Sequence, residues 1–373
     1  LAFLLILLIS LLAAVHQRVD LQAELRERRK YFLSVELVFL TFFVLDLLIR
    51  LGNPDLWHPW KGGEKPMDFA YFNAILKSTT FPPYDPWYAG GYLNYYYYGF
   101  VLVGVLTKWL GIVPAVAYNL ILPTLFALIA LGAFSLAWNL ASAATHRNEG
   151  FSFFSRAFWV GLAGAVGMAL LGNLGIPKMI YQGYQRLAAP GGVIDDAGLL
   201  TRLMWAFQGF IRALGGASLP YSIGDWYWLP SRAIPAPGDV EPITEFPFFT
   251  VLYADLHAHL LALPITLLAL SFALAVVLGQ NRWKGFFGLV AGYALGGLAI
   301  GALRPTNTWD FYPYLALGCM AIAYTIGRYY QPRIRGDGKF LPFFHKLPLV
   351  SQRILAAAGG VLLLTVFSLI LFK

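Results

Sequence analysis

Apolar residues gather in long runs at 1–15, 32–51, 114–140, 157–175, 248–278, 285–303, 312–327 and 354–372. Charged or Pro/Gly-rich stretches separate them. A helix of about 17–25 mostly apolar residues is long enough to cross a bilayer. The pattern therefore predicts an all-α polytopic membrane protein with about eight crossings, folded as a single membrane domain over 1–373. A ninth run, 92–110, is also apolar, but it opens with Tyr92 and the tyrosines 95–98 and ends in Lys108-Trp109. If it crossed, the loops 52–91 and 176–247 would fall on opposite sides. An aromatic helix lying in the interface, or re-entering from it, keeps both loops on one side.

Charge supports the second arrangement. Segments 16–31, 141–156, 279–284 and 328–353 carry 15 Lys and Arg in 64 residues. Segments 52–113, 176–247 and 304–311 carry 10 in 142. Basic loops stay in the cytoplasm. The expectation is a multi-pass protein of the cell membrane whose two long loops share the extracytoplasmic face. Twelve of the 19 acids lie with those loops, so an active face is expected there. Loops this long are usually functional or disordered, and the Trp, Tyr, Pro and Gly in these favour ordered lids.

Composition agrees. The chain is 58% hydrophobic and 12% charged, against about 25% charged in soluble domains. The net charge of +8 belongs to positive-inside loops, and no nucleic-acid partner is expected. A single cysteine, Cys319, excludes an internal disulfide. The chain opens at Leu1 inside an apolar run, without a start Met, so a piece of a longer chain is expected.

Three stretches carry candidate chemistry. In "GGEKPMDFAYFNAILKS" Pro66 and Asp68 read as a helix start, with Asp68 in the first turn near the positive end of the helix dipole. A plain first-turn acid and a catalytic acid are both open. Asp85, between Tyr84 and Pro86, reads equally as an Asx turn. In "EFPFFTVLYADLHAHLLALP" Asp255, His257 and His259 lie at i, i+2 and i+4. On a helix His257 would point away from the other two, whereas an extended segment puts all three on one side. Such a set holds Mn, Mg or Zn as an incomplete ligand shell, or forms a hydrogen-bonded cluster at a helix end. Arg232 and Arg304 are isolated guanidinium groups near external helix ends, suited to phosphate or to snorkelling. Asp310 is a partner for Arg304. Asp46 and Arg50, at i and i+4, read as an ion pair on one helix face, and 199–216 reads as an amphipathic surface helix. On a helix, tyrosines 95 to 98 step by about 100° and point in nearly every direction. Some would anchor in headgroups while Tyr95, Tyr96 or Tyr97 roofs a site.

"EKPMDFAYFNAI", "FPPYDPWYAGGYLNYYYYG", "PAVAYNLILPTLFAL", "SRAI", the 245–264 stretch and "NTWDFYPY" together resemble the YYY-type integral membrane family, named for its tyrosine run. The resemblance covers most of the chain. Through it the chain is similar to the GT-C superfamily of polytopic glycosyltransferases. The resemblance implies a GT-C-like module over about 32–373, with 1–31 an added N-terminal helix and cytoplasmic loop. It implies transfer of a sugar from a polyprenyl-phosphate donor on the external face. Asp68 matches the catalytic acid of the first loop, and 68–78 and the tyrosine helix match the juxtamembrane helices. Asp85, the tyrosines, Arg232 and Arg304 would then contact substrate. The sequence departs from the family in lacking a tight acid pair in loop one: Glu64 and Asp68 are four apart. A transporter, and a structural subunit among other membrane subunits, remain the alternatives. No internal repeat supports the former.

Overall fold

The computed structural model describes residues 2–57, 63–145, 155–222, 224–234, 238, 242–280, 285–331, 347–370 and 372. Among the described residues there is no strand, only an isolated antiparallel bridge between Tyr84 and Tyr92. The helices are α1 (Ala2–His16), α2 (Arg18–Glu27), α3 (Arg29–Gly52), α4 (Lys65–Lys77), α5 (Tyr98–Leu110), α6 (Pro114–Thr145) and α7 (Arg156–Val166). They continue as α8 (Gly175–Ala188), α9 (Leu199–Leu214), the short α10 (Asp225–Trp228), α11 (Pro247–Tyr253), α12 (Ala258–Gly279), α13 (Gly285–Thr306), α14 (Thr308–Tyr329) and α15 (Leu349–Ile370).

Five described helices are long and apolar enough to cross a membrane: α3, α6, α12, most of α13, and α15. The count rises to six if α7 and α8 form one broken span. The eight runs of the sequence divide accordingly. The run 157–175 does not continue straight: a π-turn at Gly167–Leu171 ends α7, and α8 leaves at 77°. The run 1–15 falls in α1 (Ala2–His16). The run 312–327 lies inside α14, which carries Asp310 and Arg328 at its ends. The expected cytoplasmic loop after the first helix is itself helical, as α2. Basic residues Arg147, Arg282, Lys284, Arg333, Arg335, Lys339 and Lys346 lie outside the described residues, as do Asp239 and Glu241.

Local signals explain most boundaries. Pro66 sits in the first turn of α4, where no intrahelical N–H is needed. Ser155 caps α7, its Oγ accepting from Phe158 N at 3.2 Å. Gly111 closes α5 in the left-handed region. At 13 residues α5 is too short to span, in line with an interfacial or re-entrant helix. The tyrosine run itself differs from expectation. Only Tyr98 is helical, and residues 95–97 form the irregular lead-in.

Packing forms two connected cores. Val38 and Phe42 of α3, Phe72 of α4, Phe100 of α5, Phe126 and Phe134 of α6, and Leu260 of α12 build the first. α12 turns its other positions, such as Ala269, to Tyr293, Ile300, Ile322 and Leu364 of α13–α15. Between apolar helices in lipid, close approach and packing supply the cohesion. A Cβ on Gly164 would stand 2.7 Å from the Cβ of Ala137, so α6 and α7 meet where only glycine fits. Outward leucines such as Leu37, Leu48 and Leu362 are exposed, as a bilayer surface requires.

Candidate functional site

The run 248–278 does not form one helix. α11 ends at Ala254, a non-glycine residue at φ 61°, and α12 starts only after His257. A broken helix exposes backbone groups that must be satisfied internally. Tyr118 of α6 does this: its hydroxyl donates to Ala254 O (3.0 Å) and accepts from Leu256 N (3.2 Å). The break is therefore built in, and it presents Asp255 and His257 from extended backbone with His259 just inside α12.

Across from it, α4 begins. Gly63, at φ +59°, turns the chain so that Glu64 N–H donates to Asp255 Oδ1 at 2.9 Å. A Cβ at Gly63 would lie 2.5 Å from Asp255 Oδ2, so the approach excludes a side chain. One turn further, Asp68 points inward. It is 0% exposed, and neither carboxyl oxygen has a hydrogen-bond partner. Leu256 N–H faces it, but its bond goes to Tyr118. Burial pushes the Asp68 carboxyl up to about 7; His257 pulls downward, while Asp255 and Glu64 push upward.

His257 is the hub. Its Nδ1 is 3.3 Å from Glu64 Oε2, and its Nε2 is 3.7 Å from Asp255 Oδ2 and 3.9 Å from Glu245 Oε1. Burial alone would lower its pKa, but Asp255, Glu245, Asp68 and Glu64 outweigh that and raise it to about 9. The imidazole is thus a cation near neutral pH. Glu245 spans both histidines: its Oε2 is 2.9 Å from His259 Nε2 and accepts from Thr250 Oγ1 at 3.2 Å. Burial would raise its pKa, yet His259 and His257 hold it below the usual range. The two imidazoles stack at 5.2 Å.

Asp68, Asp255, His257 and His259 therefore converge, and Tyr95 joins them. Its ring meets Tyr71 at 5.7 Å. Burial, then Asp68 and Glu64, push its phenol up to about 12. Tyr96 packs on Tyr95, while Tyr97 stacks on Phe81 at 6.0 Å, so neighbouring tyrosines do take different directions.

The other candidates take separate roles, although Asp310 feels His259 and Asp85 stands near Tyr71. Asp85 makes an Asx turn, its Oδ1 accepting from Trp87 N at 2.8 Å. Asp310 accepts from Asn307 Nδ2 (2.9 Å) rather than pairing with the exposed Arg304. Arg232 lies over the Trp228 ring at 3.9 Å, beside a different cavity. Within α3, Arg50 donates through Nε and Nη2 to Asn119 Oδ1, while the carboxyl oxygens of the buried Asp46 make no hydrogen bond. Arg50 thus hydrogen-bonds between helices, and the expected Asp46–Arg50 pair remains as an attraction without a hydrogen bond.

Among the described residues no three His, Cys, Asp or Glu side chains are placed to share one ion. Sequence reasoning missed Glu245 and Tyr118. Glu245 carried a weak signal, an acid two residues before the Pro-initiated α11; Tyr118, in an apolar run, carried none.

These features define a helical membrane protein with an enclosed acid–histidine cluster at a helix break. The chain belongs to the uncharacterized membrane protein family DUF2298, whose model matches residues 1–373. No curated protein matches it, and no solved structure does.

Proposed function

We propose that this protein is a glycosyltransferase that moves a sugar from a polyprenyl-phosphate carrier to an acceptor hydroxyl at the extracytoplasmic face of the cell membrane. The observation behind this reading is Asp68: a buried carboxyl without a hydrogen-bond partner, set against the imidazole of His257 at the edge of a membrane helix. Perturbed carboxyls of this kind are poised for proton transfer near neutral pH.

Asp68, ionised, takes the proton of the acceptor hydroxyl. The acceptor oxygen forms a bond to the anomeric carbon on the face opposite the phosphate. The bond from that carbon to the phosphate oxygen breaks, and the carrier phosphate leaves with the electron pair. The sugar configuration inverts. Protonated His257 faces the charge that grows on the departing phosphate, and the Tyr95 phenol, protonated throughout this range, adds a donor. Asp68 is enclosed, so the acceptor enters by opening of the Gly63–Glu64 turn, which the Asp255 carboxylate holds shut.

The test offers polyprenyl-phospho-sugars to the purified protein. Asp68→Asn should lower transfer by roughly 10²–10⁴-fold, the usual reach of a general base. Wild-type activity should rise as Asp68 ionises through about pH 7 and fall as His257 loses its proton through about pH 9. Equal transfer by wild type and Asp68→Asn would remove Asp68 from this role.

A further inference from the structure

A second polar site lies in the other long loop. α8, the 229–232 turn and Tyr221 enclose a cavity of about 430 Å³. Lys178 and Arg186 reach it from α8, and Arg232 from the turn; no acid lines it among the described residues. It shares no residue with the Asp68 cluster.

The cavity is anchored from several sides. Asn173 Nδ2 donates to Pro230 O at 3.0 Å, and its Oδ1 accepts from Gly175 N at 2.7 Å. Ser231 is fully buried, its Oγ donating to Trp228 O and accepting from Arg232 Nη1, both at 2.6 Å. The Tyr221 hydroxyl donates to Met179 O at 2.8 Å. These bonds hold the guanidinium of Arg232 on the wall that faces the α8 cations.

Three cations around one concavity match a multiply charged oxyanion, and Arg presents the planar fork that phosphate fits. The lining also holds Gln182 and Tyr221 beside apolar side chains, of which Leu174 and Leu229 are exposed. A free phosphate gains nothing from those leucines, whereas a lipid lays its glycerol and upper acyl chain on them. We infer that this cavity binds the phosphate headgroup of an anionic membrane phospholipid. The assignment does not depend on the transferase reading.

The experiment is native mass spectrometry of the full chain in detergent, titrated with phosphatidylglycerol, phosphatidylcholine or inorganic phosphate. Wild type should retain phosphatidylglycerol. The triple change Lys178→Gln, Arg186→Gln, Arg232→Gln should weaken retention by about tenfold or more, the scale of one lost charge-assisted contact. A control change at Lys108, exposed on α5, should leave it unaltered. Lys178→Gln alone, a surface change, serves if the triple variant does not fold, and should weaken retention by several-fold. Undiminished retention in these variants overturns the site. Equal retention of phosphatidylcholine overturns the charge selectivity, and tight binding of inorganic phosphate that displaces phosphatidylglycerol overturns the lipid as its source.

Discussion

The α4–α12 cluster and the α8 cavity carry opposite charge and opposite exposure. The first gathers four carboxylates, Glu64, Asp68, Glu245 and Asp255, around two imidazoles and closes over Asp68. The second presents three cations to an open concavity, with Lys178 and Arg186 largely in solvent. Enclosure makes each charge in the first costly unless paired, and so it shifts proton affinities. Openness leaves Lys178 and Arg186 of the second with charges cheap to keep. The two are joined by backbone: Thr244 N, one residue before Glu245, donates to Ser231 O at 2.6 Å.

The largest expected effect tests the enclosure. The folded-state pKa of Asp68, about 7, lies above its ordinary 3.8, so folding favours the protonated form. Its contribution to stability is complete below pH 3.8 and is lost as pH rises through 7. The shift corresponds to roughly 4 kcal/mol across that window. Asp68→Asn should flatten the stability profile between pH 4 and 7 in chemical unfolding. His257 has the opposite chemistry but the same sign: its pKa is raised from 6.5 to about 9, so its contribution is full below 6.5 and fades through 9. An Asp68→Asn profile as steep as wild type would mean the carboxyl is not the enclosed group described.

The next effect tests the closure of the turn. Gly63→Val puts a branched side chain at positive φ and into the Asp255 carboxylate, and should cost about 2–4 kcal/mol. Gly216→Ala, also at positive φ but with open space around it, should cost only about 1 kcal/mol. Thermal unfolding of both variants separates strain from collision. Similar losses would show that the Gly63–Asp255 contact adds nothing beyond backbone strain.

Much of this comparison was legible in the residues. Pro66 and Asp68 announce α4, and the amphipathic pattern of 199–214 announces α9, because caps and periodicity act locally. Asp68 and the Asp255–His259 stretch stand out as two separate motifs, but whether they meet is not readable from the residues. The break at 254–257 was not legible, since its cause is Tyr118, more than 130 residues away in the chain. The tyrosines misled for a related reason. Tyr95 is drawn out of the helix by a ring partner on α4 and by burial beside Asp68, which no helical wheel contains. Of the apolar runs, five described helices, or six with the bent α7–α8 pair, are long and apolar enough to cross, because a run records composition while crossing also needs length, and α7 bends away at its π-turn.

The smallest effect compares two lysines. Lys65 opens α4, is 4% exposed, and donates from Nζ to Asp55 O at 3.3 Å. Burial lowers its pKa first, and Arg50 adds to that, while Asp255 and Asp55 pull the other way. Lys65→Gln removes a buried ammonium that Asp255 partly balances, and it should shift stability by about 1 kcal/mol. Lys178→Gln removes an exposed charge and should change it by less than about 0.5 kcal/mol. Guanidinium chloride screens charge interactions, so urea at low salt is the measurement that resolves both changes. If Lys178→Gln destabilised as much as Lys65→Gln, its ammonium would already be held by the folded chain. The α8 cavity would then be a structural charge cluster, and the contrast between an enclosed acid site and an open cationic one would fail at its weaker end.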